Sequence, residues 1–166
     1  TGLEHPNLES RPIVSPQNQP FIVIEGIDGS GKSTLAANLT LSFQHDRAAT
    51  LTREPYDPIP PGKERGRIRE ALMAPSDSKV DPVQLAVMFA ADRFAHVDDV
   101  IKPLREQGVM VICDRYTLST IAYQTLKLSE EFVFQLVRPA PRPDLTILLD
   151  MEPQAARDRL LTRGLP

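Results

Sequence analysis

The sequence predicts a three-layer α/β domain, a mainly parallel sheet with helices on both faces, and three observations carry that prediction. Short apolar runs alternate with stretches of helical spacing, the pattern of a parallel sheet joined by crossover helices. Val109-Met110-Val111-Ile112-Cys113 is apolar throughout, as a strand covered on both faces must be. The third observation is the junction after the first apolar run, residues 21–25. There Gly26-Ile27-Asp28-Gly29-Ser30-Gly31-Lys32-Ser33 places a glycine, four residues, then Gly-Lys-Ser, directly before a helix.

That spacing, G-x-x-x-x-G-K-[ST], is a phosphate-binding P-loop, and the strand before it and helix after it supply the context it needs. Gly26, Gly29 and Gly31 let the backbone approach a polyphosphate, so that N–H groups of the loop and of the helix start, through Ser33 and Thr34, point at phosphate oxygens. Lys32 adds a mobile positive charge. The Ser33 hydroxyl, in the first helical turn, is placed to ligate a Mg²⁺ bridging nucleotide phosphates.

The chain has 166 residues, enough for one domain with a real core. A formal net charge of -3 provides no overall basic field, so composition does not suggest a nucleic-acid surface. Cys113 is the single cysteine, which excludes an intrachain disulfide and a thiolate zinc cluster, and it is expected to pack rather than react. No apolar run approaches a membrane span and residues 1–20 lack a signal-peptide core, so a cytoplasmic protein without membrane partners is expected.

Residues 1–20 hold four prolines among scattered polar residues and are read as a flexible leader to a domain covering 21–166. Residues 32–45 form the first helix, with Leu35, Leu39 and Phe43 spaced to face the sheet. Ala49-Thr50-Leu51-Thr52 is a second strand, stopped by Pro55, which keeps Glu54 extended and leaves Arg53 near the loop tip. Residues 56–61 hold three further prolines and read as loop, and 62–73 as a charged helix ending before Pro75. Asp81 and Pro82, an N-cap followed by proline at the first position, open a helix to about residue 101. Val87, Ala90, Ala91, Phe94, Val97 and Ile101 form its expected core stripe. Phe89 and Arg93 lie off that stripe and four residues apart, so an aromatic face and a guanidinium can meet one ligand; burial of the helix on both sides is the alternative.

Asp114-Arg115-Tyr116 follows the third strand at its carboxyl end, where ligands bind in open α/β sheets. An acid there can hold Mg²⁺ or its waters, and an arginine beside it can clamp a phosphate. Residues 119–126 and 130–137 read as helices, 145–149 as a fourth strand and 153–163 as a last helix whose Arg157, Arg159 and Arg163 suit its C-terminal end. A P-loop alone does not choose among kinase, switch GTPase and motor ATPase. The chain has no Asn-Lys-x-Asp to read guanine, and Asp114 is followed by Arg115 rather than by a second acid.

Taken together, Glu25-Gly26-Ile27-Asp28-Gly29-Ser30-Gly31-Lys32-Ser33-Thr34, Thr52-Arg53-Glu54-Pro55, Phe89-Ala90-Ala91-Asp92-Arg93, Asp114-Arg115-Tyr116 with Ser119 and Ala122-Tyr123-Gln124, and Pro143-Asp144-Leu145 through Asp150 stand in the order found in thymidylate kinases. The resemblance covers residues 20–164 and implies transfer of the γ-phosphoryl of ATP to dTMP with Mg²⁺, by a cytosolic homodimer serving dTTP synthesis. It implies that Lys32, Asp28, Arg53 and Arg115 serve catalysis, and that Gly26 to Thr34 hold ATP with Arg163 facing its adenine. It further implies that Phe89 stacks on thymine, Arg93 bonds the base edge and Arg53 and Arg115 hold the acceptor phosphate. Asp28 then sits by the sugar or that phosphate, Thr120 and Tyr123 shape the pocket, and Ser33 with Asp114 meets the metal. A P-loop module without turnover, or a kinase of another nucleoside monophosphate, is the competing expectation.

This chain departs from the family pattern in three places. Tyr56-Asp57 stands where a Gly-Gly turn is usual, and Thr125-Leu126-Lys127-Leu128 replaces a glycine-rich segment. The sequence also stops at Pro166, where the family continues into a basic lid, a fifth strand and a terminal helix, so slow turnover is expected of these residues alone.

Overall fold

The computed structural model describes residues 19–59, 66–75, 80–162 and 164, so most of the expected leader and Arg163 lie outside the described residues. Four strands, β1 (Phe21–Gly26), β2 (Ala49–Arg53), β3 (Met110–Asp114) and β4 (Leu145–Leu149), pair in the order β2-β3-β1-β4. All three pairings are parallel. The helices are α1 (Lys32–Gln44), α2 (Arg67–Met73), α3 (Pro82–His96), α4 (Lys102–Glu106), α5 (Thr117–Gln124), α6 (Glu130–Val137) and α7 (Pro153–Thr162).

Strand alternation divides the core into two halves. Phe21, Val23, Val111 and Cys113 face one side, where Val97, Ile101 and Tyr116 cover them, with Phe21 and Tyr116 meeting edge to face. Ile22, Ile24, Met110 and Ile112 face the other, against Ala36 and the expected Leu35, Leu39 and Phe43 of α1. β1 and β3 are central and buried along their length, as the apolar run predicts. Their carboxyl ends deliver the P-loop and Asp114-Arg115 to the same edge of the sheet, with Ile24 in register with Asp114 and Asp114 with Arg53. β4 is at the sheet edge among the described residues, and its Leu145 and Leu148 are exposed. Cys113 is fully buried and burial pushes its thiol well above the ordinary range, so it packs and does not react.

Asp81 caps α3, accepting from the Val83 and Gln84 amides, with Pro82 at the first helical position as expected. The helix does not end near 101. It passes through a π-helical turn, Val97–Ile101, into α4. The expected core stripe also needs correction, because α3 buries Ala86, Ala90, Arg93 and His96, while Val87, Ala91 and Phe94 are exposed. Hydrophobic periodicity treats Arg93 and His96 as solvent-facing, yet each has a buried partner on the loop after β2, and that pairing rotates the inward face.

Candidate active site

The P-loop is built as its glycines require. Gly29 has φ +84°, and a Cβ there would lie 2.4 Å from the Ala156 carbonyl oxygen of α7, so a side chain at this position collides with helix backbone. Lys32 is buried, and its Nζ donates to the Ile27 carbonyl at 2.7 Å. Burial, and then the positive charge of Arg115, lower its pKa from the usual lysine value, because both disfavour the ammonium form.

Across from it, the Ser33 hydroxyl donates to Asp114 Oδ2, while Asp114 Oδ1 is buried without a protein partner. A hydroxyl, a carboxylate with an unspent oxygen and a neighbouring phosphate loop suit Mg²⁺, which takes few protein ligands and keeps waters and phosphate oxygens. No cluster of three or more His, Cys, Asp or Glu suited to a metal exists among the described residues.

Arg115 lies just past the end of β3 with a left-handed φ of 73°. Its Nη2 donates to Asp28 Oδ1, and its Nη1 donates to Ser119 Oγ at 2.9 Å and to the Gly26 carbonyl at 3.3 Å. Tyr123 completes the group, with its hydroxyl donating to Asp28 Oδ2 at 3.2 Å and its ring 5.7 Å from the Arg115 guanidinium carbon. Behind them sits Glu25, buried at the end of β1. Its Oε1 accepts from the Tyr116 and Ser119 amides at the start of α5 and its Oε2 from the Ser119 hydroxyl at 2.6 Å, so one carboxylate fixes both the helix and the serine that holds Arg115.

A cavity of about 870 Å³ opens from Asp28 and Arg115 between α2, α3 and α5. Leu72, Leu85, Phe89 and Pro55 supply apolar walls, and Arg93, Thr120 and Gln124 supply polar ones. Arg93 is buried and donates from Nε and Nη2 to Glu54 Oε2, at 2.9 and 2.6 Å, and from Nη2 to Thr120 Oγ1 at 2.7 Å and the Tyr116 carbonyl at 3.1 Å. Its Nη1 has no partner. An unspent donor beside a half-buried Phe89 ring suits a flat ring carrying an acceptor oxygen on its edge.

The α2 wall is held by carboxylates. Asp92 on α3 accepts from the Tyr56 and Asp57 amides at 2.8 and 2.6 Å, and Asp57 accepts from the Ile68 and Arg69 amides at 2.9 and 3.0 Å, capping α2 from outside it. The fit is tight enough that a Cβ on Gly66 would fall 2.2 Å from Asp57 Cγ. Burial raises the Asp92 pKa despite those two amides.

The structure therefore brings Asp28, Phe89, Arg93, Arg115, Thr120 and Tyr123 to one cavity, with Lys32, Ser33 and Asp114 adjoining. Arg53 is not among the lining residues. It is exposed at the end of β2, while its neighbour Glu54 is buried and lines the cavity. Arg157 and Arg159 are exposed on α7. Sequence reading passed over Glu25, Glu54 and His96. A signal for His96 exists, since residues 89, 93 and 96 share one helical face; the two glutamates have none, because their partners are remote in sequence.

The four-stranded parallel sheet, the P-loop and an acceptor-sized cavity beside it define a P-loop phosphotransferase of the nucleotide-binding α/β class. A family model described as Thymidylate kinase matches residues 24–165. The chain is 45% identical over 150 residues to a probable thymidylate kinase of Pyrococcus abyssi, covering 87% of this chain and 71% of that protein. It is 42% identical over 146 residues to a probable thymidylate kinase of Pyrobaculum aerophilum, covering 87% and 71%. It is 38% identical over 152 residues to a thymidylate kinase of Nitratidesulfovibrio vulgaris, covering 87% and 66%. This chain belongs to the thymidylate kinase family.

Proposed function

We propose that this protein transfers the γ-phosphoryl group of ATP to dTMP, giving dTDP and ADP for dTTP synthesis. The observation that carries the reading is Arg115, which joins the P-loop aspartate Asp28 to a cavity whose far end holds Phe89 and the free Nη1 of Arg93. A nucleoside monophosphate laid along that cavity puts its base between Phe89 and Arg93 and its phosphate at Arg115, with the P-loop beyond.

The reaction needs no protein nucleophile, because an acceptor phosphate oxygen attacks the γ-phosphorus of ATP and the β–γ bridging oxygen departs with ADP. The protein supplies alignment and charge. Gly26, Ile27, Asp28, Gly29, Ser30, Gly31, Ser33 and Thr34 cradle the donor phosphates. Lys32 exchanges its Ile27 carbonyl for a phosphate oxygen. Arg115, fixed by Ser119 and Glu25, holds the acceptor phosphate, and Asp28 with Tyr123 holds Arg115 and the sugar side of the cavity. Thr120 steadies Arg93. Ser33 and Asp114 would hold Mg²⁺, which would supply charge neutralisation across the phosphates. Arg53, on the acceptor phosphate, and Arg163, facing adenine, rest on the family resemblance.

Cytoplasmic action is proposed with these substrates; among the described residues no helix is long and apolar enough to cross a membrane. The protein is further proposed to act as a homodimer through the apolar side of α3, where Val83, Val87 and Phe94 are exposed, and the adjoining α6, where Phe134 is exposed. Sedimentation analysis should give a dimer that Val87→Glu converts to monomer, and a monomeric parent protein would refute this. The activity itself is tested by coupled ADP release with ATP, Mg²⁺ and dTMP, dUMP, dCMP, dGMP or dAMP in turn. Turnover with dTMP is expected, and preference for a purine nucleotide would refute the reading.

A further inference from the structure

The Glu54 carboxylate divides its oxygens. Oε2 takes both Arg93 Nε and Nη2, whereas Oε1 faces His96 Nδ1 at 3.3 Å. His96 is itself immobilised: it is fully buried, its Nε2 meets Thr52 Oγ1 at 2.6 Å, and the Tyr56 ring stacks on it at 5.1 Å with the planes 15° apart. In the tautomer with the proton on Nδ1, the imidazole donates to Glu54 and accepts from the Thr52 hydroxyl, so every polar atom of this chain of contacts is used.

A carboxylate facing a guanidinium on its own tends to engage it with both oxygens in a fork. Here both donors fall on Oε2, and Oε1 is turned to His96, which thereby fixes the carboxylate that anchors Arg93. Arg93 is anchored through Nε and Nη2, with its guanidinium carbon 5.0 Å from the Tyr116 ring centre and Nη2 also on Thr120, while Nη1 has no protein partner in a residue that lines the cavity.

We propose that His96 is a positioning residue for base selection: by holding Glu54 Oε1 it keeps Arg93 Nη1 presented to the acceptor's base, where a ring carbonyl is accepted and an amino group rejected. This rests on the proposed dTMP reading and adds to it a residue that touches no substrate. Thymine carries an acceptor oxygen at the position where cytosine carries an amino donor, so donors on Nη1 discriminate between them.

The test compares His96→Gln with His96→Asn, measuring ADP release with dTMP and dCMP and the KM for ATP. Gln places its amide near the Nε2 position and loses the Glu54 contact, whereas Asn places its amide near Nδ1 and keeps it. His96→Gln is expected to raise the dTMP KM about tenfold and to narrow the dTMP-to-dCMP ratio of kcat/KM by a similar factor, as loss of one well-placed hydrogen bond implies. Its kcat and ATP KM should stay within about threefold, and His96→Asn should restore the ratio to within about threefold of the parent, both changes being under the cost of one such bond. An unchanged ratio in His96→Gln, or equal loss in both variants and for both nucleotides, would overturn the assignment. If His96→Gln does not fold, Thr52→Val, which frees the other end of the imidazole, must still narrow the ratio; a parental ratio there would overturn it as well. A parent protein that releases no ADP with dTMP would instead refute the substrate reading on which the assignment stands.

Discussion

Substituting Glu54 with alanine should be among the most destabilising single changes in this protein. The Arg93 and Glu54 side chains are 3% and 5% exposed, so the variant leaves a guanidinium in the interior with only the Tyr116 carbonyl and Thr120 hydroxyl as partners. Breaking a buried pair from one side costs about 3–5 kcal/mol, because the remaining charge is neither hydrated nor compensated. That is a large share of the roughly 5–15 kcal/mol by which a domain is stable. With a urea dependence of about 1–3 kcal/mol per molar, the midpoint should fall by on the order of 1–5 M. The melting temperature should fall by about 6–20 °C. Replacing both partners together, Glu54→Leu with Arg93→Met, removes the stranded charge and should cost less than Glu54→Ala alone. Urea titration of Glu54→Ala, of the double variant and of its two single substitutions, followed by circular dichroism, decides the matter. A single-variant loss below about 1 kcal/mol, or a double variant costing the sum of two independent singles, would refute the reasoning that Arg93 is a charge whose burial depends on Glu54.

Phe89→Ala should weaken dTMP binding by about 1–3 kcal/mol through lost stacking and burial and leave ATP binding nearly unchanged, and calorimetry showing equal loss for both would contradict the assignment of that cavity to the acceptor. Lys32→Ala should abolish turnover with dTMP binding retained, whereas Arg115→Ala should chiefly impair dTMP; titrations giving the reverse pattern would exchange donor and acceptor sites. The lowered pKa of Lys32 fixes the sign of a pH effect: in the window below the usual value of 10.5 the unfolded chain binds a proton that the folded one has released, so Lys32 adds stability as pH rises through it. Burial raises the Cys113 and Tyr116 pKa values and acts oppositely, so the effect is read as the difference in urea midpoint between parent and Lys32→Met, each free of nucleotide. Any advantage of the methionine variant should shrink from about pH 8 towards the unfolded lysine value, and a constant difference would contradict the burial cost assigned to Lys32.

The sequence by itself determined the α/β class, the strands at 145–149 and within 109–114, the Asp81-Pro82 start of α3 and the P-loop, because each is fixed by a local pattern: an apolar run, a cap, or glycines at set spacing. Phe89 and Arg93 were legible as a pair because a helix sets residues four apart side by side whatever surrounds it. Which side of α3 faces inward was decided only in three dimensions. Periodicity points Val87 and Phe94 at the core, but burial there goes to Arg93 and His96, since the end of β2 brings Thr52, and the loop after it Glu54, within hydrogen-bond reach of them. The same limit hides Glu25, whose partners lie more than ninety residues away at the start of α5. It also separates Arg53 from Glu54, adjacent in sequence but divided by the chain's turn after β2 into an exposed residue and a cavity wall. A buried charge carries no local signature, because what makes its burial tolerable is a partner that only the tertiary fold delivers.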